Sequence, residues 1–309
     1  MNQPSATPPH QMINLITSCT DRKSLNVACR MRSLSGQSID DRVTAWVELL
    51  RRETDRKRAI DLYQGEHWTV AKKIYMSGQA SLWVASAGYG LVNSEAQLAG
   101  YSATFTRPNP DDVTGQMGTS EERRKWWNLL RQNCENAAPR MREIGSSGPI
   151  MLAASAGYID AMSDEIADAI SSRVEVVIVT SSGLDDRLES RQVLVEGRFR
   201  NALGGSMQAL NVRVAEHIIN SLAGTQVTLE SARAVVADLA LKSPPLKKYS
   251  RQTMSDEEVR SFVTAELKSN IWVTKSALLR KLRDHGYACE QTRFSALFSE
   301  VKALSGEVR

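Results

Sequence analysis

The chain has 309 residues, 42% of them hydrophobic, and a formal net charge of +4, enough apolar material for one large core or two smaller ones. No apolar run approaches the ~20 residues needed to span a bilayer. Four cysteines (Cys19, Cys29, Cys134, Cys289) without C-x-x-C spacing and four scattered histidines give no zinc, redox or structural-metal pattern, and no cofactor is expected.

Residues 1–11, MNQPSATPPHQ, are polar and proline-rich, and read as a disordered arm and not a signal peptide. With so little cysteine, this fits a reducing cytoplasm. The apolar run at 12–17 is the first strand candidate. Helical spacing follows at 43–50 and again through AIDLYQGEHWTVAKKIY, where Leu62, Trp68, Ala71 and Ile74 can share a face. Residues 81–85 form the second strand candidate, followed by a turn-rich stretch to Gly118. Thr119 or Ser120 with Glu121-Glu122 starts a helix running through RRKWWNLLRQNCENAAPRMREI. The third strand candidate is 150–154, a helix opens at Ser163, and the β-rich run 174–180 is the fourth strand. A polar link leads to helices at 207–222 and 228–241. Strands alternating with helices predict an α/β catalytic domain over 12–241, a mostly parallel sheet flanked by helices.

Residues 242–254 read as a linker. Beyond it lie helix candidates at 255–268, 275–284 and 290–302, the first with a Ser255/Glu258 capping box. Residues 242–309 hold 13 Lys+Arg against 8 Asp+Glu, whereas the remainder is balanced, 26 against 27. Three short helices with a basic surplus predict a helix-turn-helix or winged-helix-like DNA-binding module over 255–309. Lys275, Arg280, Lys281, Arg283 and Arg293 are its candidate phosphate contacts.

All four strand candidates end on small polar residues: Ser18-Cys19, Ser86 in a first Ala-Ser-Ala-Gly-Tyr, Ser155 in a second, and Ser181-Ser182-Gly183. In an open parallel sheet, ligands bind beyond the carboxyl ends of the strands, so these corners predict a shared ligand crest. Cys19 lies beside Asp21, Arg22 and Lys23; neighbouring cations favour a thiolate, and a thiolate near an acid/base group suits covalent catalysis. Tyr89 and Tyr158, at matched places in the repeated pentapeptide, could stack on an extruded base. Ser18, Ser86, Ser155 and Ser182 complete the crest, and Arg198 and Asn201 in GRFRNALGG could hold a phosphate or a base edge. Neither a P-loop, a G-x-G-x-x-G after a strand nor an H-E-x-x-H is present.

Taken together, SCTDRK, AIDLYQGEHW and WVASAGYGLVNSEAQLAGYSATF resemble an uncharacterised bacterial and phage domain family related to the YaaA-like peroxide-stress proteins, a group linked to DNA and to deazaguanine metabolism. The likeness covers roughly residues 12–105. With the basic helical tail, the chain is also similar to the DpdC family of bacterial DNA-deazaguanine modification clusters. That resemblance implies hydration of the nitrile of cyano-deazaguanine in DNA. Cys19 would be the nucleophile, Asp21 a proton shuttle and Lys23 the stabiliser of developing negative charge. DNA and other proteins of a DNA-modification operon would be the partners. Two other readings stand beside it. One is a DNA glycosylase using Asp160 or Asp185-Asp186; the other is a non-catalytic DNA-binding protein of a defence or stress operon.

Overall fold

The computed structural model describes residues 12–115, 118–134, 138–245 and 250–306. The predicted arm at 1–11 and residues 246–249 of the predicted linker lie outside them. The chain divides into two compact units, Met1–Pro245 and Leu246–Arg309.

The first unit is α/β. Its sheet contains β1 (Ile13–Ser18), β2 (Ala80–Ser86), β3 (Gly90–Asn93), β4 (Ile150–Ala153), β5 (Val176–Thr180) and β6 (Gln192–Leu194), in the order β6-β5-β4-β1-β2-β3. All pairings are parallel except the β2–β3 hairpin. The central strands are buried almost throughout, which is why they read as continuous apolar runs instead of alternating ones. Helices flank the sheet: α1 (Ile39–Arg52), α2 (Glu66–Met76), α3 (Ser120–Asn133), α4 (Ala156–Ala161), α5 (Ser163–Ser171), α6 (Leu210–Ser221) and α7 (Leu229–Lys242). Thr119 caps α3 in a complete capping box with Glu122.

Three sequence expectations need adjusting. The run AIDLYQGEHWTVAKKIY is not one helix: a short turn of helix, Ala59–Leu62, stops before Gly65, whose φ of +101° breaks it from α2. The helix starting at Ser120 ends at Asn133, and a separate turn forms at Met141–Ile144. Two edge strands, β3 and β6, lie in stretches expected to be loop or polar link; at four and three residues they are too short to show a period.

β1 is the switch point of the sheet. The chain leaves β1 for β2 on one side and later returns to β4 on the other, so the segments after β1 and β4 diverge and leave a crevice at their carboxyl ends.

The second unit packs α8 (Asp256–Ser269), α9 (Lys275–Asp284) and α10 (Gln291–Gly306) around Val259, Val263, Leu278, Leu282 and Phe294. Ser255 and Glu258 form the expected capping box. Gln252–Thr253 pairs in parallel with Tyr287–Ala288, in the turn between α9 and α10. Among the described residues no antiparallel wing follows the last helix. No helix among them is long and apolar enough to cross a membrane.

Candidate functional site

The segment after β1 is pinned to the segment before α2. Ser24 donates its backbone N–H to Leu62 O at 2.8 Å, Gln64 donates to Arg22 O at 3.0 Å, and Lys23 bridges Tyr63. Farther along, Ala28 donates to Gly100 O at 3.2 Å, and Cys29–Arg30 pairs with Tyr101–Ser102. Gly100 permits this approach, since a Cβ there would collide with the Asn26 carbonyl. Loop closure thus brings SCTDRK, DLYQG, the first SAGY and GYSAT to one place at the crevice.

Three tyrosines and a thiol meet there. The Cys19 sulfur lies 3.2 Å from the Tyr158 hydroxyl, and Thr104 Oγ1 lies 3.5 Å from the same hydroxyl. Ser86 Oγ accepts backbone N–H bonds from Gly88 (3.2 Å) and Tyr89 (3.0 Å). Both its lone pairs are then occupied, so its own hydrogen goes to the Tyr101 oxygen at 2.6 Å. Tyr101 in turn donates to Tyr63 at 2.9 Å. The chain Ser86→Tyr101→Tyr63 therefore leaves the Tyr63 proton facing onward. Burial pushes the phenols of Tyr63, Tyr101 and Tyr158 well above their ordinary value, and the nearby Cys19 raises each further. All three are neutral donors at neutral pH.

The Lys23 ammonium donates to Thr20 O at 2.9 Å and sits 4.2 Å from the Tyr101 ring centre. Burial lowers its pKa, and the charges of Cys19, Asp21 and Asp111 only partly restore it. At the end of β1, Thr17 Oγ1 donates to Ala153 O at 2.8 Å and lies 2.6 Å from the His67 ring Nε2. Burial pushes His67 down to about 4, leaving it neutral.

The repeated pentapeptide takes two different folds. In the first, Ala87 and Gly88 turn the β2–β3 hairpin, and their carbonyls accept the indole N–H groups of Trp126 (2.9 Å) and Trp46 (2.8 Å). In the second, Ser155 precedes α4 and Tyr158 lies within it. Tyr89 and Tyr158 are therefore not matched. Tyr89 accepts from Ala99 N at 3.0 Å and packs edge-on against Tyr101, whereas Tyr158 reaches Cys19. What the two corners share is a tolerance for close approach. A Cβ at Gly88 would stand 2.6 Å from the Tyr101 ring, and one at Gly157 would stand 2.6 Å from Phe105 O.

Ser155 and Ser182 line an open cavity of about 650 Å³ beyond β4 and β5, together with Phe105, Arg123, Arg124 and Asp160. Asp160 is held by Arg123 (2.8 Å) and Arg124 (3.5 Å). Asp185 also lines it but caps the short helix at Asp186, with Arg187 lowering its pKa. Cys19 is buried beside this cavity, not in its wall. Phe105, which lines the cavity, packs edge-on against Tyr158 at 5.1 Å, and Tyr158 covers the thiol. On the other flank Tyr63 lines a second hollow, with Arg22, Lys72 and Lys73.

Of the sequence-predicted residues, the structure brings Cys19, Lys23, Ser86 and Tyr158 into the cluster and Ser155 and Ser182 into the adjoining cavity. Ser18 is half-buried at the end of β1, and Asp21 is exposed on the loop that follows. Arg198 and Asn201 stand apart. Edge strand β6 carries them away from the crevice, Arg198 bonding Glu196 and Ser243 O while Asn201 faces solvent. Residue-by-residue reading passed over Tyr63, Tyr101, Thr104 and His67. All four lie inside the segments that carry the family resemblance, which is the signal that could have found them.

In the second unit, three of the five predicted phosphate contacts are engaged internally. Lys281 pairs with Glu266 (2.8 Å), Arg283 donates to Cys289 O (3.2 Å), and Arg293 bonds Asp256 and Met254 O. Lys275 and Arg280 are exposed, and neither has an acidic partner among the described residues. Among those residues no group of three His, Cys, Asp or Glu side chains could hold a metal ion. No family model, no curated protein and no solved structure matches the chain.

Proposed function

We propose that the chain is a DNA base-modification enzyme that hydrates the nitrile of a cyano-deazaguanine base to the amide through a thioimidate on Cys19. The observation that carries this reading is the convergence of Cys19, Lys23, Tyr63, Tyr101 and Tyr158 from separate segments onto one buried point. A nucleophile, a phenol in hydrogen-bond reach and a half-buried ammonium are the parts that addition to a nitrile needs. A nitrile is also linear and slender, which suits a buried thiol reached past the Tyr158 hydroxyl.

In the first step sulfur bonds to the nitrile carbon, one C–N π pair moves to nitrogen, and the thiol proton reaches that nitrogen by way of the Tyr158 hydroxyl. Tyr63 O–H and Lys23 stabilise the negative charge while it develops. Water then adds to the thioimidate carbon, nitrogen takes a second proton, and the C–S bond breaks to release the amide. Sulfur recovers its proton, so the sum is one water consumed. The base reaches the site extruded from the duplex or in a single strand, and the basic second unit holds the DNA, with other proteins of a modification operon as further partners.

The glycosylase reading has one observation in its favour, the presence of Asp160 and Asp185 in the cavity wall. Both oxygens of Asp160 are, however, occupied by arginines, and Asp185 is paired with Arg187. Nucleoside mass spectrometry of cyano-deazaguanine DNA after incubation separates the readings. The proposal expects the base to gain one water in the wild type and to be unchanged with Cys19→Ala. Loss of base would establish a glycosylase instead, and unaltered DNA with the wild type would leave a binding protein only.

A further inference from the structure

The turn between α8 and α9 presents a tryptophan that internal packing does not use. Trp272 is 86% exposed and its neighbour Ile271 39%. The turn itself is ordered. Trp272 donates its backbone N–H to the Asn270 side chain at 3.0 Å, Val273 donates to Asn270 O at 3.3 Å, and Thr274 caps α9 by accepting from Ala277 N at 3.2 Å. The indole is therefore held out in water by a built turn, at the cost of leaving its large apolar face exposed.

Lys268, in the last turn of α8, and Lys275, the first residue of α9, flank the indole in sequence. Both are exposed, and neither has an acidic partner within ion-pair distance among the described residues. The one acid in that last turn of α8, Glu266, is already neutralised by Lys281 at 2.8 Å. The result is an exposed aromatic plate on a short turn whose two ends each carry an unspent cation.

We infer that Trp272, with Lys268 and Lys275, is a stacking platform for an unpaired base of a nucleic-acid strand. Every base offers a π-face to an exposed indole, and lysines on either side meet the flanking phosphates. The paired cations favour a polyanion over an apolar protein surface, and one indole with one half-exposed isoleucine is too little apolar area to seat the unit in a lipid surface. This inference rests on the reading that the second unit meets nucleic acid, and it names the side chain that would grip the strand.

The test is fluorescence polarisation of a short, unmodified, labelled single-stranded oligodeoxynucleotide with the full chain. Trp272→Ala should weaken binding about ten-fold, the scale of one lost base stack. Trp272→Phe should keep most of the affinity, and Lys268→Gln with Lys275→Gln should flatten the salt dependence. Equal affinity for wild type and Trp272→Ala, or no oligonucleotide binding by the wild type, overturns the inference. So does a Trp272-dependent affinity for anionic vesicles without one for DNA. Cys19→Ala should bind the oligonucleotide like the wild type, so that a failure of nitrile hydration and a failure of this platform are read separately.

Discussion

Tyr101 holds several parts of the crevice together. Its hydroxyl links Ser86 to Tyr63, its ring lies under the Lys23 ammonium, and its edge meets Tyr89 and Trp46. Tyr101→Phe removes the acceptor for the Ser86 hydrogen and the donor to Tyr63 in a fully buried setting. It should cost roughly 1–3 kcal/mol in urea unfolding, the range for a buried polar group left unpaired, with turnover reduced as well. Gly88→Ala puts a methyl group into the same ring and should cost a similar ~1–3 kcal/mol. His67 makes a pH prediction. Burial depresses its pKa to about 4 in the folded chain, against about 6.5 when unfolded. Its contribution is therefore complete above pH ~6.5 and is lost as the pH falls toward 4, because the unfolded state then binds the proton more readily. The unfolding free energy of the wild type should fall across that window by more than that of His67→Gln, with a difference on the order of 3 kcal/mol. The residues of the site were only partly legible. Cys19 and Lys23 stand out by chemistry alone, but Tyr63 and Tyr101 became visible only when loop pairing put them beside the thiol.

Among the elements, the four buried strands were legible because sheet centres are apolar on both faces and end in turn residues. The edges were not. β3 is four residues closing a hairpin on a turn braced by Trp46 and Trp126, both distant in sequence. β6 is three residues in a polar stretch, recognisable only by its pairing with β5. The same long-range packing explains why an identical pentapeptide makes a hairpin once and a helix start once: local sequence allows both, and the neighbours choose. Gly157→Ala tests the second corner. The Phe105 carbonyl must move to admit the methyl group, shifting Phe105 against Tyr158 at the thiol. We expect a lower turnover number with circular dichroism retained, since the affected contact is local to α4 and the 104–106 loop.

At the scale of the whole molecule, the two hydrophobic clusters share no residue: one runs through the sheet and its helices, the other joins α8, α9 and α10. Two unfolding transitions are expected in a urea titration. Leu282→Ala, at a fully buried position of the second cluster, should lower only the transition of that unit, by roughly 2–5 kcal/mol. A single transition shifted as a whole would show that the units unfold together. Under the proposed function, the same separation would assign chemistry to the crevice at the end of β1 and grip on DNA to the basic unit. The most direct test of the central claim is peptide mass spectrometry of the protein quenched with acid during turnover of cyano-deazaguanine DNA. The account predicts a base-derived thioimidate on the peptide containing Cys19 and none in Cys19→Ala. Undiminished formation of the amide by Cys19→Ala would contradict it.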